Sequence, residues 1–299
     1  MWSFGKEQII CTIGDVKVGG LPGKQATVLI GSIFYSKHHI LIDEARGEFM
    51  KDKAQELLKV QEEFSDKTGN PHMVDVVGST PEALSKFVDF VSAETDAPIL
   101  FDGVSADVRI RGLDYVIQSG IKNPIVYNSI LPECKKEELD KIKEAGLKSA
   151  VLLSYNLREF TSAGRLKAVK TILPMAQSAG IENFLVDTCV IDVLTLGPAC
   201  RAIYEVKNEL GLPAGCGAHN AIGTWRGLKT KMGKQATHPS MASACAIAIA
   251  SGANFILYGP IDTASYIFPA VAMVDAAYAQ LLREQGLRPE PGHPIYKIA

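Results

Sequence analysis

Short apolar runs rich in Val, Ile and Leu alternate with amphipathic stretches from one end of the chain to the other. The runs predict strands at Thr27–Phe34, Met73–Val77, Ile99–Phe101, Ile125–Tyr127, Ala150–Ser154, Phe184–Val186, Ala214–Gly217 and Phe255–Tyr258. Runs that are apolar at nearly every position fit strands covered on both faces, as in parallel sheets. The stretches between them predict helices over Lys51–Lys67, Lys135–Ala145, Ala163–Ala179, Thr195–Leu210, Met241–Ser251 and Ala264–Glu284. A further helix starts at Thr80, with Pro81 and Glu82 in its first turn, where a missing N–H and an acidic group suit the N-terminus.

Eight strand–helix units predict an α/β fold, a single (β/α)8 TIM barrel spanning residues 1–299 as one domain. An open doubly wound sheet is the alternative. It would place a glycine-rich turn after the first strand, and none follows Ile33. The longest irregular stretch is Ala218–Pro239, after the seventh strand, where a long loop is expected to serve a site. The tail from Gly286 to Ala299 carries Pro289, Pro291 and Pro294 and is expected to be extended.

The chain has 299 residues, 47% hydrophobic and 21% charged, which is enough to fill a large core. Its 31 basic and 33 acidic residues leave a net charge of −2, which argues against nucleic acid as a partner. No run of roughly 18 uncharged apolar residues is read, so no membrane partner is expected. The N-terminal residues lack the blocks of a secretory signal, and the six cysteines show no CxxC spacing. Reduced thiols in a cytoplasmic protein are the expectation.

Barrels of this kind carry their chemistry at the C-terminal ends of the strands. Here the second strand carries Asp75. The third ends in Phe101-Asp102-Gly103, the fourth in Tyr127-Asn128-Ser129, the sixth in Val186-Asp187-Thr188 and the seventh in Gly217-Ala218-His219-Asn220. Carboxylates and carboxamides together suit a flat heterocycle with alternating donors and acceptors, because a carboxylate takes two N–H bonds from an aminopyrimidine edge. Any one of these residues could instead be a turn or cap. No lysine ends a strand, which removes Schiff-base chemistry. His38, His39, His219 and His238 show no HxH or HExxH spacing, so no metal is expected. Arg109, Trp225, Arg226 and Lys229 lie in or near predicted mouth loops and are candidates for a ligand tail or a docked partner.

The series Asp75, Phe101-Asp102-Gly103, Tyr127-Asn128-Ser129-Ile130, Leu185-Val186-Asp187 and Cys216-Gly217-Ala218-His219-Asn220 resembles the pterin-binding, corrinoid-dependent methyltransferase barrels. The likeness is to the branch containing the H subunit of tetrahydromethanopterin S-methyltransferase, and Ile30-Gly31-Ser32-Ile33-Phe34-Tyr35 with Lys37-His38-His39 supports it. Within that branch the chain looks nearest to the stand-alone methylcobalamin:tetrahydrofolate methyltransferases of glycine betaine demethylation. The resemblance implies that Asp102, Asn128 and Asp187 bind the pterin ring, that Asn220 lies near the methyl-bearing N5, and that Asp75 is a ring contact or a support for one. It implies transfer of a methyl group from methylcobalamin to N5 of tetrahydrofolate. The alternatives are a tetrahydromethanopterin-specific H subunit of a larger complex and a dihydropteroate synthase-like enzyme. The chain has no DxHxxG segment, so the corrinoid is expected on a partner protein, and the barrel group implies a homodimer.

Overall fold

The computed structural model describes residues 3–156 and 158–299. An antiparallel hairpin opens the chain, β1 (Ile10–Ile13) and β2 (Val16–Gly19), joined by Gly14-Asp15 with Gly14 at φ 58°. A left-handed glycine at that position suits a two-residue hairpin turn. Then come β3 (Val28–Ile33), a second small hairpin of β4 (Leu41–Asp43) and β5 (Glu48–Phe49), and α1 (Lys51–Thr68). The series continues with β6 (His72–Gly78), α2 (Pro81–Glu94), β7 (Ile99–Gly103), α3 (Ala106–Ser119), β8 (Ile125–Ile130) and α4 (Lys136–Glu144). It ends with β9 (Ser149–Leu153), α5 (Ser162–Ser178), β10 (Asn183–Asp187), α6 (Val193–Leu210), β11 (Ala214–Cys216), α7 (His219–Gly223), α8 (Thr237–Ala250), β12 (Phe255–Pro260) and α9 (Ala264–Glu284).

Strands β3, β6, β7, β8, β9, β10, β11 and β12 close into a parallel barrel in chain order, as the alternation predicts. The open-sheet alternative falls. Two apolar layers hold the barrel. Inside, Ile30, Met73, Leu100, Val126, Val151, Leu185, Phe255 and Leu257 fill it, and Ile13, Val16 and Val18 of the first hairpin join them as a plug. Outside, neighbours such as Leu29, Val74, Phe101, Tyr127 and Leu152 pack under the helices. Successive strand residues point to opposite faces, so one run feeds both layers.

Helix starts follow their caps. Thr80 accepts from Ala83 N–H at the head of α2, with Pro81 in the first turn as read from the sequence. Asp192 and Thr195 form a reciprocal capping box at α6.

Three expectations are corrected. Helix α3, headed by Ser105, lies where the pattern above names no helix. The stretch 218–239 is mostly short helical turns, and α8 begins four residues before Met241. The C-terminal tail is not extended: Pro294–Tyr296 forms a turn of 3-10 helix against α9, with buried His293 accepting from Ile295 N–H. Residues 261–284 are long and apolar enough to cross a membrane by length and composition alone, although Asp262 and Asp275 interrupt the apolar run. That segment packs on α1 and α8 as part of the barrel wall.

Candidate functional site

Period two explains how the polar groups come together. Ile30, Met73, Leu100, Val126, Val151 and Leu185 point into the barrel. Two residues further along each strand stand Ser32, Asp75, Asp102, Asn128, Leu153 and Asp187, on the same inward face and one layer closer to the C-terminal mouth. The ladder runs through them: Ser32 pairs with Asp75, and Asp102 with Asn128. Asp102, Asn128 and Asp187 therefore lie within their strands, not after them as the sequence boundaries had it. The backbone bonds of a barrel strand fix their spacing more firmly than a loop would.

These residues line one cavity of about 570 Å³ at the mouth. Asn220 of α7 lines it too, so Asp75, Asp102, Asn128, Asp187 and Asn220 all reach one space. Asp75 is closed on itself: Ser32 Oγ donates to Oδ2 (2.6 Å) and Asn128 Nδ2 donates to Oδ1 (3.1 Å). That bond turns the Asn128 carboxamide and leaves its oxygen as the open acceptor. The Asn128–Ser129 peptide is cis. Asp187 Oδ1 accepts from Cys189 N–H (2.7 Å). Asp102 accepts no hydrogen bond among the described residues. Asn220 Nδ2 donates to the Val190 carbonyl (3.0 Å), which leaves its own oxygen free.

The electrostatics follow from burial. It pushes Asp75 up to about 6, against the pull of Ser32 and Asn128. Asp187 is likewise pushed up to about 6, with the amides of Cys189 and Gly217 and the Arg165 charge holding it back. Burial, then the Asp75 charge, raises Asp102 well above the usual carboxylate range, with Arg109 opposing. Charged carboxylates packed this closely favour a ligand that brings N–H donors.

Sequence reading missed several lining residues: Ser32, Tyr35, Ser129, Cys189 and His219. Ser32 was legible as a lone polar residue within an apolar run. Tyr35 stacks on His38 with ring centroids 4.4 Å apart. Its turn is held because His38 Nδ1 accepts the Phe34 N–H (3.1 Å), while Nε2 meets Asp262 (3.0 Å). His38, His39 and Asp262 lie close enough together to suggest a cation site. The Phe34 N–H forces the ring proton of neutral His38 onto Nε2, where it faces Asp262 and blocks the lone pair a metal needs.

Four candidates do not join the cavity lining. Arg109 is buried in the outer layer, where it donates to Gly103 O (2.8 Å), Tyr127 Oη (3.0 Å) and Glu138 Oε1 (2.8 Å). All three guanidinium nitrogens are engaged by the fold and Arg109 is absent from the cavity lining, so the expected ligand-tail contact is corrected to a structural one. Trp225 and Arg226 are exposed on the segment between α7 and α8, outside the lining. Arg226, Lys229 and Lys231 all stay out of the cavity lining.

The family pattern described as "Tetrahydromethanopterin S-methyltransferase MtrH subunit" matches residues 6–290. The H subunit of a tetrahydromethanopterin S-methyltransferase from Methanothermobacter thermautotrophicus is 38% identical, with all of both chains covered. The H subunit of a putative mtx methyltransferase from Methanosarcina mazei is 36% identical over 99% of each. Among solved structures, a Yersinia pestis dihydropteroate synthase with a pterine–sulfa conjugate superposes with a TM-score of 0.62 at 15% identity, covering 91% of this chain and 100% of that one. That likeness shows the barrel fold alone.

The relatives overturn the expectation of a stand-alone tetrahydrofolate methyltransferase of betaine breakdown, because those that match end to end are named for tetrahydromethanopterin and as subunits. The reason for the error is chemical. The two carriers share a pterin edge and differ in the tail, and the resemblance rested on residues expected to meet that edge alone. The chain belongs to the tetrahydromethanopterin S-methyltransferase MtrH subunit family, a family of methyltransferase subunits.

Proposed function

We propose that this chain is the pterin-binding subunit of a methyltransferase. It holds a tetrahydromethanopterin-type carrier in the barrel mouth and exchanges the N5 methyl group with a corrinoid on a separate protein. One observation carries the reading: Asp102, which accepts no hydrogen bond among the described residues, faces one cavity of about 570 Å³ together with the open carboxamide oxygen of Asn128 and with Asp187, whose described donors are backbone amides alone. The aminopyrimidine edge of a reduced pterin supplies a 2-amino group and ring N–H groups in one plane. Those donors would offset the desolvation that raises Asp102 and Asp187.

The partner's corrinoid supplies the cobalt that takes or gives the methyl group. This chain's own part is alignment and charge at N5. Fixing two reactants in line can lower a bimolecular barrier by roughly 7–11 kcal/mol in favourable cases. The free oxygen of Asn220 accepts a hydrogen bond from a protonated N5. An N–H is present at N5 in the demethylated carrier and in the protonated methyl form from which the methyl leaves, so the bond favours the path to demethylation.

Calorimetry with tetrahydromethanopterin tests the placement. Asp187→Ala removes an acceptor for buried N–H groups, which costs about 1–3 kcal/mol. Unchanged affinity in that variant would refute the ring placement. Asn220→Ala should lose transfer rate in single turnovers more than affinity, and equal losses of both would count against its role at N5.

A further inference from the structure

The chemistry at N5 leaves one task without a residue. N5 must lose a proton when it is methylated and regain one when the methyl leaves. A carboxamide can bond to that hydrogen but cannot hold it. We propose that His219 exchanges this proton, its Nε2 taking the hydrogen from N5 as the pterin is methylated and returning it on demethylation. The inference rests on the pterin reading above and adds a general base to it.

Three observations carry it. His219 heads α7 directly beside Asn220 and lines the same cavity. Its Nδ1 lies 3.1 Å from the Leu257 carbonyl, which can only accept, so the ring proton sits on Nδ1 and Nε2 keeps its lone pair. Nε2 has no partner among the described residues. The neighbouring strand is shaped to admit the ring: Gly259 is at φ 88°, and a Cβ there would collide with His219 Cγ. Glycine alone supplies both that backbone and that space.

The other titratable groups of the cavity are less suited. Asp75 is closed by Ser32 and Asn128, and Asp187 is held by Cys189 N–H. Asp102 stands on β7, across the mouth from α7. Burial pushes the Cys189 thiol and the Tyr35 phenol each up to about 12, so both stay protonated at neutral pH. Burial also holds His219 below its ordinary value, so it is an uncharged base there.

The step balances simply. The N5 lone pair forms the new bond to carbon as the bond from that carbon to the cobalt of the methyl donor breaks, its electron pair staying on the donor; the N5–H electron pair stays on nitrogen, and the proton moves to Nε2. The resulting imidazolium donates from Nδ1 to Leu257 O, which steadies its charge. The reverse reaction retraces each movement.

The test is methyl transfer from methylcobalamin to tetrahydromethanopterin, followed by the cobalt absorbance across pH. His219→Gln should slow transfer about 100-fold, in the range general bases supply, and should remove one limb of the pH–rate profile. Pterin affinity should stay within about threefold. His219→Gly should recover part of the rate when imidazole is added. Equal losses of rate and affinity with an unchanged pH profile would overturn the proposal. In the unaltered protein, ring ¹⁵N signals should show His219 protonated at Nδ1 and perturbed by the pterin. A proton on Nε2 overturns the idea even if the variants do not fold. No pterin binding by the parent protein would defeat both readings, whereas Asp187-dependent binding with full His219→Gln activity defeats this one alone.

Discussion

The two ends of the barrel bury carboxylates by the same physics and use them differently. At the N-terminal end, Asp275 of α9 is only 2% exposed. Burial pushes it up to about 6 against the pull of Thr27 and Asn70. It accepts from Thr27 N–H (2.9 Å), Thr27 Oγ1 (2.7 Å) and Asn70 Nδ2 (2.7 Å). At the C-terminal end, Asp102 and Asp187 are raised in the same direction. Among the described residues Asp102 has no donor, Asp187 has backbone donors alone, and both face an open cavity. A raised carboxyl does not by itself mark a site. The mark is a buried acceptor whose hydrogen bonds the chain leaves unfilled.

The sharpest way to break this contrast is to remove one carboxylate from each end. Asp275→Ala strands three buried donors and should cost about 3 kcal/mol of stability, read by denaturant unfolding, with tetrahydromethanopterin affinity within about twofold. Asp102→Ala should do the opposite. Its stability should hold or rise, while affinity falls by about 1–3 kcal/mol. If Asp102→Ala unfolds as readily as Asp275→Ala, the mouth is a structural network and the contrast fails.

Acid titration gives a smaller effect of defined sign. A carboxyl raised by folding binds its proton more tightly in the folded chain. Its stabilising share is complete below about pH 4 and is lost as the pH climbs through the folded value, about 6 for Asp187 and well above the usual range for Asp102. Asp102→Asn removes one such group. It should match the parent at pH 4 and be more stable at pH 7, with a shallower fall between. A parallel pair of stability curves would show that Asp102 carries no such strain.

The contrast also explains what the sequence could and could not reveal. The barrel was legible because every strand feeds apolar residues to two layers, and Leu100 followed by Asp102 already announces a mouth. The same period carried Asp75, Asn128 and Asp187 to one cavity, although only the structure shows that Asp75 is spent on Ser32 and Asn128. The first hairpin was missed despite its Ile13-Gly14-Asp15-Val16 turn, because the eightfold alternation draws attention to the longer runs that follow. Arg109 misled because position along the chain does not say which side of the strands a helix residue faces. From the first turn of α3 it reaches the outer layer and Glu138, not the mouth. The choice between the two carriers was illegible for a different reason: residues placed to meet a pterin edge hold no information about what hangs from it.

The smallest expected effect separates the cavity from its rim. Arg226 stands exposed beside Trp225 on the segment after α7, outside the lining. An exposed charge of this kind steers an approaching macromolecule more than it holds a small ligand, and salt screens it over about 10 Å at 0.1 M. Arg226→Ala should therefore leave tetrahydromethanopterin affinity within about twofold. Methyl transfer with a purified corrinoid protein should slow a few-fold at low salt, and the difference should shrink as salt is added. Should the variant lose pterin affinity as Asp187→Ala does, this segment folds over the ligand and belongs to the site, and the boundary between cavity and rim must be redrawn to include it.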